Sequence, residues 1–215
     1  MQYSKKTVWS VLLRLFHWSL VISIIFLVLT GLYIGNPWSN SLLLQTGTFP
    51  MAKMRYFHFL AAYLFTAAII IRIYLLFFGN QYEKLWDSLP ITPKNLLNLI
   101  RTIFRYLYVS DSHSTKLGHN TLAGIFYMAT IIVGCLQIIC GFFLLYPESV
   151  FWQHIGVAVF SSQANARLIH HLLMWYFIIF AFLHVYIVVW NEIRSEDGLI
   201  SSIFSGKKYK PFIDG

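Results

Sequence analysis

The chain of 215 residues contains eight histidines, and several of them fall within apolar stretches that carry almost no charge. A neutral imidazole offers one nitrogen as a metal ligand, and two imidazoles from facing helices can supply both axial ligands of a haem iron. An ionisable side chain at membrane depth is costly, so each such histidine marks a candidate functional site. The candidates are His17, His58, His170, His171 and His184.

The composition indicates the environment of these histidines. Hydrophobic residues make up 58% of the chain and charged residues only 11%, whereas a soluble domain carries roughly 25% charged residues. A soluble domain of this size could not cover itself with polar side chains, and the same figures exclude a disordered chain and a disulfide scaffold. The formal net charge of +8 belongs to a chain that is mostly hydrocarbon, so it does not indicate a nucleic-acid partner. We therefore expect a polytopic membrane protein.

Four apolar stretches are long enough to cross the membrane, since a helix of about 20 residues spans a hydrocarbon core of about 30 Å. Helix is the only suitable conformation, because an isolated strand in lipid would leave its backbone groups unsatisfied. The sequence thus predicts an all-α membrane protein, a four-transmembrane-helix bundle that forms a single integral-membrane domain over residues 1–215. The spans are predicted near 11–34, 57–78, 121–146 and 168–190.

The distribution of basic residues predicts the orientation of the spans. Of the 16 Lys and Arg residues, only Lys53, Arg55 and Arg167 fall on the side away from the termini. Basic residues accumulate in cytoplasmic loops, so both termini are predicted to be cytoplasmic.

A further helix is predicted in the long middle loop. In residues 95–109, apolar side chains recur at helical spacing, with basic and polar residues opposite. Such an amphipathic helix is expected to lie along the cytoplasmic interface of the membrane. A helix packed on the ends of the spans is an equal alternative.

Orientation sorts the histidines into one pair for each leaflet. His58 and His170 fall at the outer side of their spans, and His17 and His184 at the inner side. His170 precedes His184 by fourteen residues, which is about 1400° of helix and places both on nearly one face. His171 precedes His184 by thirteen residues, so its side chain points roughly 140° away from that of His184 around the helix. His170 is therefore the favoured ligand and His171 the alternative.

Other metal sites and a transport function are less well supported by the residues. Cys135 and Cys140, five residues apart, do not provide the thiolate spacing of a zinc or iron–sulfur site. No Cys-x-x-Cys-His motif occurs, so covalently attached haem is not expected. A transporter subunit with a histidine proton relay is an alternative from another class, but it would need carboxylates and broken helices within the spans. Two b-type haems account for the depth, face and number of the histidines together.

Several motifs are typical of one family of membrane cytochromes. They are Arg14-Leu15-Phe16-His17-Trp18 with Thr30-Gly31, His58 with Arg72-Ile73-Tyr74 and Phe78-Gly79-Asn80, Gly118-His119-Asn120, His170 with Met174-Trp175, His184-Val185-Tyr186, and Arg194-Ser195-Glu196-Asp197. With these motifs the chain resembles the membrane-anchored b-type cytochrome subunit of respiratory, quinone-reactive nickel–iron hydrogenase. The positions of the histidines in the spans, taken alone, would also fit the cytochrome subunits of formate dehydrogenase or thiosulfate reductase.

The resemblance implies a di-haem subunit of the bacterial cytoplasmic (inner) membrane. We expect no independent catalytic activity, because each chemical role would belong to a bound cofactor or a partner. The resemblance implies that the outer haem b is held by His58 and His170 and the inner one by His17 and His184, with the outer site the more certain of the two. It further implies partners on the outer face, a small iron–sulfur subunit and a large nickel–iron subunit. Electrons from dihydrogen would reach a membrane quinone, menaquinone or ubiquinone.

The sequence also suggests roles for a group of polar residues at the cytoplasmic boundary and for four glycines in the spans. A quinone pocket is predicted at the cytoplasmic boundary from His119, His113 and Arg14, although a solvated loop is the more ordinary position for His113. Four glycines in the spans would let a flat macrocycle approach the backbone, but helix–helix contact explains each of them equally well. These glycines are Gly31, Gly124, Gly134 and Gly141.

Overall fold

A computed structural model describes residues 3–38, 49–106, 121–194 and 198–211. Four of its helices have the length and apolar composition needed to cross a membrane, and this confirms the all-α fold with four spans. The elements in chain order are β1 (Tyr3–Thr7), α1 (Val11–Gly35), α2 (Pro50–Phe78), a 3₁₀ turn (Leu85–Ser88), α3 (Pro93–Tyr106), α4 (Thr121–Leu145), α5 (Val150–Phe160), α6 (Gln163–Arg194), α7 (Leu199–Ser205) and β2 (Lys207–Pro211).

Two of the membrane-spanning helices are longer than predicted. Helix α2 begins at Pro50 rather than near residue 57, and α6 covers Gln163–Arg194 rather than 168–190. Hydropathy detects only the part of a helix that lies in hydrocarbon, whereas the hydrogen-bonded helix continues through polar turns such as the one that carries Lys53. The bounds of α1 and α4 agree with the prediction to within a residue.

Helix α3 confirms the predicted amphipathic helix, and its start follows ordinary capping chemistry. Pro93 occupies the first helical position, and the backbone N–H of Asn95 donates to Thr92 Oγ1 at 3.3 Å, so one free N–H of the first turn is satisfied. The apolar side chains Leu96 and Ile100 are exposed. That exposure favours contact with lipid over packing on the ends of the spans. Residues 107–109 of the prediction lie outside the described residues.

The chain divides into two compact units, and the single-domain organisation stays a prediction. The first unit comprises Met1–Arg14, Ile71–Val133 and Phe182–Gly215. Within it the two ends of the chain pair as an antiparallel β1–β2 ribbon, in which Thr7 is opposite Lys207.

Gly206 lies at the turn that precedes β2, where its backbone has a φ of +78°. A Cβ there would lie 2.7 Å from the carbonyl oxygen of Trp9, so this close turn requires glycine. Its own carbonyl accepts the backbone N–H groups of Val8 and Trp9 at 2.9 and 3.1 Å.

A buried carboxylate organises the first unit. Glu83 is 2% exposed, and its two oxygens accept the backbone N–H groups of Ser10 at 2.7 Å and Asn80 at 3.0 Å. The guanidinium of Arg72 donates to the Glu83 carbonyl at 3.1 Å, and the Asn80 amide donates to the carbonyl of Val8 at 3.0 Å. Glu83 therefore connects the start of α1 to the turn that follows α2.

The second unit comprises Leu15–Ile70 and Gly134–Ala181. Its small buried core contains Cys140, Phe143, Phe160 and Ala166, where the Cys140 thiol donates to the carbonyl of Ala166 at 2.9 Å. Helix α5, which the sequence did not predict, packs on α4 because Gly156 has no side chain. A Cβ at that position would lie 2.1 Å from the Phe143 ring.

Candidate functional site

Two of the predicted ligands face each other within the second unit. His58 on α2 and His170 on α6 have ring centroids 6.3 Å apart, with ring planes inclined at 57°. Two imidazoles bound in line to one metal would have ring centres about 6 Å apart, from two metal–nitrogen bonds of about 2 Å and about 1 Å from each nitrogen to its ring centre. The pair is therefore spaced for an axial bis-imidazole complex.

The two rings line a cavity of about 810 Å³ that belongs wholly to the second unit. That volume lies in the range of sites for cofactors and small molecules. The surrounding surface is mainly apolar and aromatic, which suits a macrocycle that must be kept from water. The aromatic side chains at the cavity are Phe59, Tyr63, Phe65, Phe142 and Phe177.

Two of the four glycines noted in the sequence lie against the histidine rings. A Cβ added at Gly31 on α1 would lie 3.4 Å from His58 Cε1, and one at Gly141 on α4 would lie 3.5 Å from His170 Cε1. Gly134 instead faces Ile69, whose Cδ1 would be 2.9 Å from an added Cβ. Gly31 and Gly141 thus keep space at the site, whereas Gly134 allows close helix packing.

A hydroxyl group lies beside Nδ1 of His58. Thr30 Oγ1 donates to the carbonyl of Phe26 at 2.5 Å and lies 2.9 Å from His58 Nδ1. When the hydroxyl donates to the Phe26 carbonyl, it accepts from Nδ1–H of His58, which is the tautomer that leaves Nε2 unprotonated. The lone pair of Nε2 is then available for a metal. Nothing in the sequence analysis identified Thr30 as the partner of His58.

The neighbouring pair His170 and His171 differ in their hydrogen bonds, although both line the cavity. The indole N–H of Trp175 donates to His171 Nε2 at 3.3 Å, so the lone pair of that nitrogen is engaged. Nδ1 of His170 is buried without a hydrogen-bond partner in the part of the chain that the structure describes. The carbonyl of His170 accepts from Gln137 Nε2 at 3.3 Å. These contacts favour His170 as the ligand.

The remaining predicted site residues belong to different units or lie outside the described residues. His17 belongs to the second unit, and His184 to the first, where its ring lies 6.2 Å from that of Tyr127; their pairing stays a prediction. The Arg14 guanidinium donates to the carbonyl of Phe204 on α7. His113 and His119 lie outside the described residues.

The donor set at the cavity fits a haem better than a metal ion held by protein ligands alone. Among the described residues, no group of three or more His, Cys, Asp or Glu side chains could enclose a metal ion, whereas a structural zinc site needs four protein ligands. Two facing imidazoles leave four equatorial positions, which a porphyrin fills by itself. The cavity, the two glycines and the imidazole pair together match that requirement.

Four membrane-spanning helices with a facing imidazole pair define a helical-bundle membrane cytochrome. A family model for prokaryotic cytochrome b561 matches residues 8–206. The chain belongs to the prokaryotic cytochrome b561 family. Haem b is accordingly its cofactor.

Similar proteins occur in several bacteria. A protein of Cupriavidus necator is 28% identical over 209 residues, which cover 94% of this chain and 85% of that protein. One of Bradyrhizobium diazoefficiens is 30% identical over 205 residues, covering 91% and 82%. Both are named probable Ni/Fe-hydrogenase B-type cytochrome subunit. A protein of Escherichia coli K12, 28% identical over 208 residues and covering 93% and 88%, is named probable Ni/Fe-hydrogenase 1 B-type cytochrome subunit.

Proposed function

We propose that this protein is a di-haem b cytochrome that anchors a nickel–iron hydrogenase to the membrane and transfers its electrons to quinone. The facing pair His58 and His170, 6.3 Å apart in an apolar cavity, is the observation that carries the proposal. The names of the relatives support a nickel–iron hydrogenase as the partner enzyme. These names favour hydrogenase over formate dehydrogenase and thiosulfate reductase, whose cytochrome subunits the positions of the histidines alone would also fit.

Haem b supplies reversible one-electron chemistry at the iron when bound. Nε2 of His58 and a ring nitrogen of His170 would hold it. Thr30 fixes the orientation and protonation of the His58 ring, since a hydrogen bond to the second nitrogen of a ligating histidine sets its tautomer and raises its basicity. The aromatic walls exclude water, and the small residues Gly31 and Gly141 leave room for a planar macrocycle beside the rings.

The second haem and the quinone complete the proposed route. His17 and His184 would hold the inner haem, and His119, His113 and Arg14 would form the pocket for menaquinone or ubiquinone. The small iron–sulfur and large nickel–iron subunits would bind the outer face of the bacterial inner membrane, with both termini of this chain in the cytoplasm. The free energy of each elementary charge that crosses the membrane then changes by roughly 2.3 kcal/mol per 100 mV of membrane potential.

The proposed function is tested in anaerobic membranes that contain the whole complex. Addition of dihydrogen is expected to reduce the b haems and then the quinone, because the cluster-bearing partner is their electron donor. Deleting this chain should leave dihydrogen oxidation with a soluble dye intact but abolish quinone reduction, and should release the hydrogenase from the membrane. The measurements are difference spectra, quinol extraction and fractionation.

Formate serves as the matched electron donor in the same membranes. Haem reduction by formate but not by dihydrogen, together with copurification of a molybdenum enzyme, would contradict the hydrogenase assignment. A chain that binds no haem would contradict the electron-transfer role altogether.

The Thr30→Val substitution is expected to raise the midpoint potential of the outer haem. Valine keeps the shape of threonine but removes the hydroxyl oxygen that lies 2.9 Å from His58 Nδ1. A less basic imidazole stabilises ferric iron less, so reduction becomes easier. A redox titration of the purified complex measures the potential.

Thr66→Val is the matched control, because Thr66 also lines the cavity but its hydroxyl donates to the carbonyl of Ala62 at 2.8 Å. That substitution should leave the potential close to the wild-type value. Equal shifts in both variants would show that Thr30 does not act through His58.

A further inference from the structure

The same spacing of a basic residue and a histidine occurs on both helices that carry the facing pair. Arg55 precedes His58 on α2 by three residues, and Arg167 precedes His170 on α6 by three residues. Residues three apart lie on one face of a helix, about 4.5 Å apart along its axis. Each arginine is therefore one turn N-terminal to its histidine, on the side of the helix that faces the cavity.

Both arginines line the cavity together with the two histidines. Neither guanidinium forms a hydrogen bond or ion pair with any described residue, and no carboxylate is among the described residues of the cavity wall. Both residues are exposed, so their charged ends lie at the edge of an otherwise mainly apolar cavity. Two cationic groups at this edge have no anionic partner supplied by the protein around them.

We propose that Arg55 and Arg167 bind the two propionate groups of the outer haem, one arginine to each carboxylate. This inference depends on the proposed function, in which His58 and His170 hold that haem. A haem carries two carboxylates on one edge, and a planar guanidinium binds a carboxylate through two parallel hydrogen bonds. Since no other charged side chain among the described residues lines the cavity, the two arginines supply the positive charge for carboxylates at its edge.

The arrangement also predicts how the macrocycle is turned about the axis through the two imidazoles. The histidines define that axis but not the rotation of the porphyrin around it. With both arginines one turn before their histidines, the propionate edge points toward the N-terminal ends of α2 and α6. The opposite edge would then lie deeper, among the aromatic side chains of the cavity.

The test compares Arg55→Gln, Arg167→Gln, the double variant and Lys53→Gln in the purified complex. Lys53 is the matched control, because it is an exposed base on the first turn of α2 that does not line the cavity. Each single arginine variant should keep its haem but lower the outer midpoint potential, since loss of a positive charge disfavours electron uptake by the iron. The propionate bending modes in resonance Raman spectra should shift in the same variants.

The double variant should release its outer haem to apomyoglobin at least about tenfold faster than the wild type, as expected for the loss of two charge-assisted pairs. Lys53→Gln should match the wild type in every measurement, and Arg55→Lys should restore most of the potential. Unchanged potentials and Raman modes in both single variants would overturn the inference. So would loss of tightly bound anionic phospholipid from them with the haem spectra unaltered, since the arginines would then bind lipid phosphate.

Failure of this inference is distinguishable from failure of the proposed function. If haem is lost from His58→Ala but the arginine variants behave as the wild type, the ligand pair stands and only the propionate assignment falls. If His58→Ala and His170→Ala both keep the outer haem, the proposed site itself is wrong.

Discussion

Replacing either His58 or His170 with alanine is expected to remove one b haem, which is about half of the haem content of the proposed di-haem protein. Each substitution removes one imidazole of the facing pair, whose ring centroids lie 6.3 Å apart, and would leave the haem with a single protein ligand in an apolar cavity. A b-type haem has no covalent attachment, so it depends on these ligands and on packing. Pyridine haemochrome analysis and reduced-minus-oxidised spectra of the purified protein measure the loss.

His171→Ala is the matched control for this prediction. His171 adjoins His170, lines the same cavity and accepts the Trp175 indole hydrogen bond, so its removal should leave the haem content unchanged. Added imidazole should restore the spectrum of His58→Ala if the cavity remains folded. Full haem content in His58→Ala, or loss of haem from His171→Ala alone, would contradict the ligand assignment.

The four spans could be predicted because membrane insertion depends on a property of the linear sequence. About 20 apolar residues must follow one another, and polar or helix-breaking residues such as Ser10, Asn36 and Pro147 lie just beyond the ends of α1 and α4. The ends of α2 and α6 could not be found in this way. Once a helix leaves the hydrocarbon, residues such as Lys53 and Asn191 cost nothing there, and hydropathy no longer distinguishes helix from loop.

Elements that depend on distant contacts gave no local signal. Strand β1 consists of Tyr-Ser-Lys-Lys-Thr, a sequence without the alternating apolar pattern of a half-buried strand. It pairs with residues about 200 positions away in the sequence, and only the folded first unit brings the two ends together. Helix α5 is similar, because its position rests on the contact of Gly156 with Phe143, which no spacing within residues 150–160 reveals.

At the site, the sequence predicted which histidines share a leaflet but not what surrounds them. The pairing of His58 with His170 followed from orientation and depth, and the structure places those rings together. The contact of Thr30 with His58 depends on the rotation of α1 against α2, which periodicity does not define. The sequence does contain a pattern that links the two arginines to the site, since Arg-x-x-His occurs at both 55–58 and 167–170.

The Glu83→Gln substitution is expected to destabilise the protein by about 3 kcal/mol, because it disturbs a buried charged group with several partners. The carboxylate accepts the backbone N–H groups of Ser10 and Asn80 through separate oxygens, and a glutamine amide can accept at only one of these positions. The amide also removes the negative charge that interacts with the buried guanidinium of Arg72. For a chain of this length, the loss corresponds to a Tm lower by roughly 6 to 12 °C.

Glu148→Gln is the matched control, since Glu148 is exposed and an exposed charge contributes little to stability. Thermal unfolding of both variants in the same detergent, followed by circular dichroism, measures the difference. The outer haem should be retained in Glu83→Gln at low temperature, because His58 and His170 belong to the second unit and Glu83 to the first. A Tm within 1 °C (about 0.3 kcal/mol) of the wild type would show that the Glu83 carboxylate does not stabilise the junction between the start of α1 and the turn after α2.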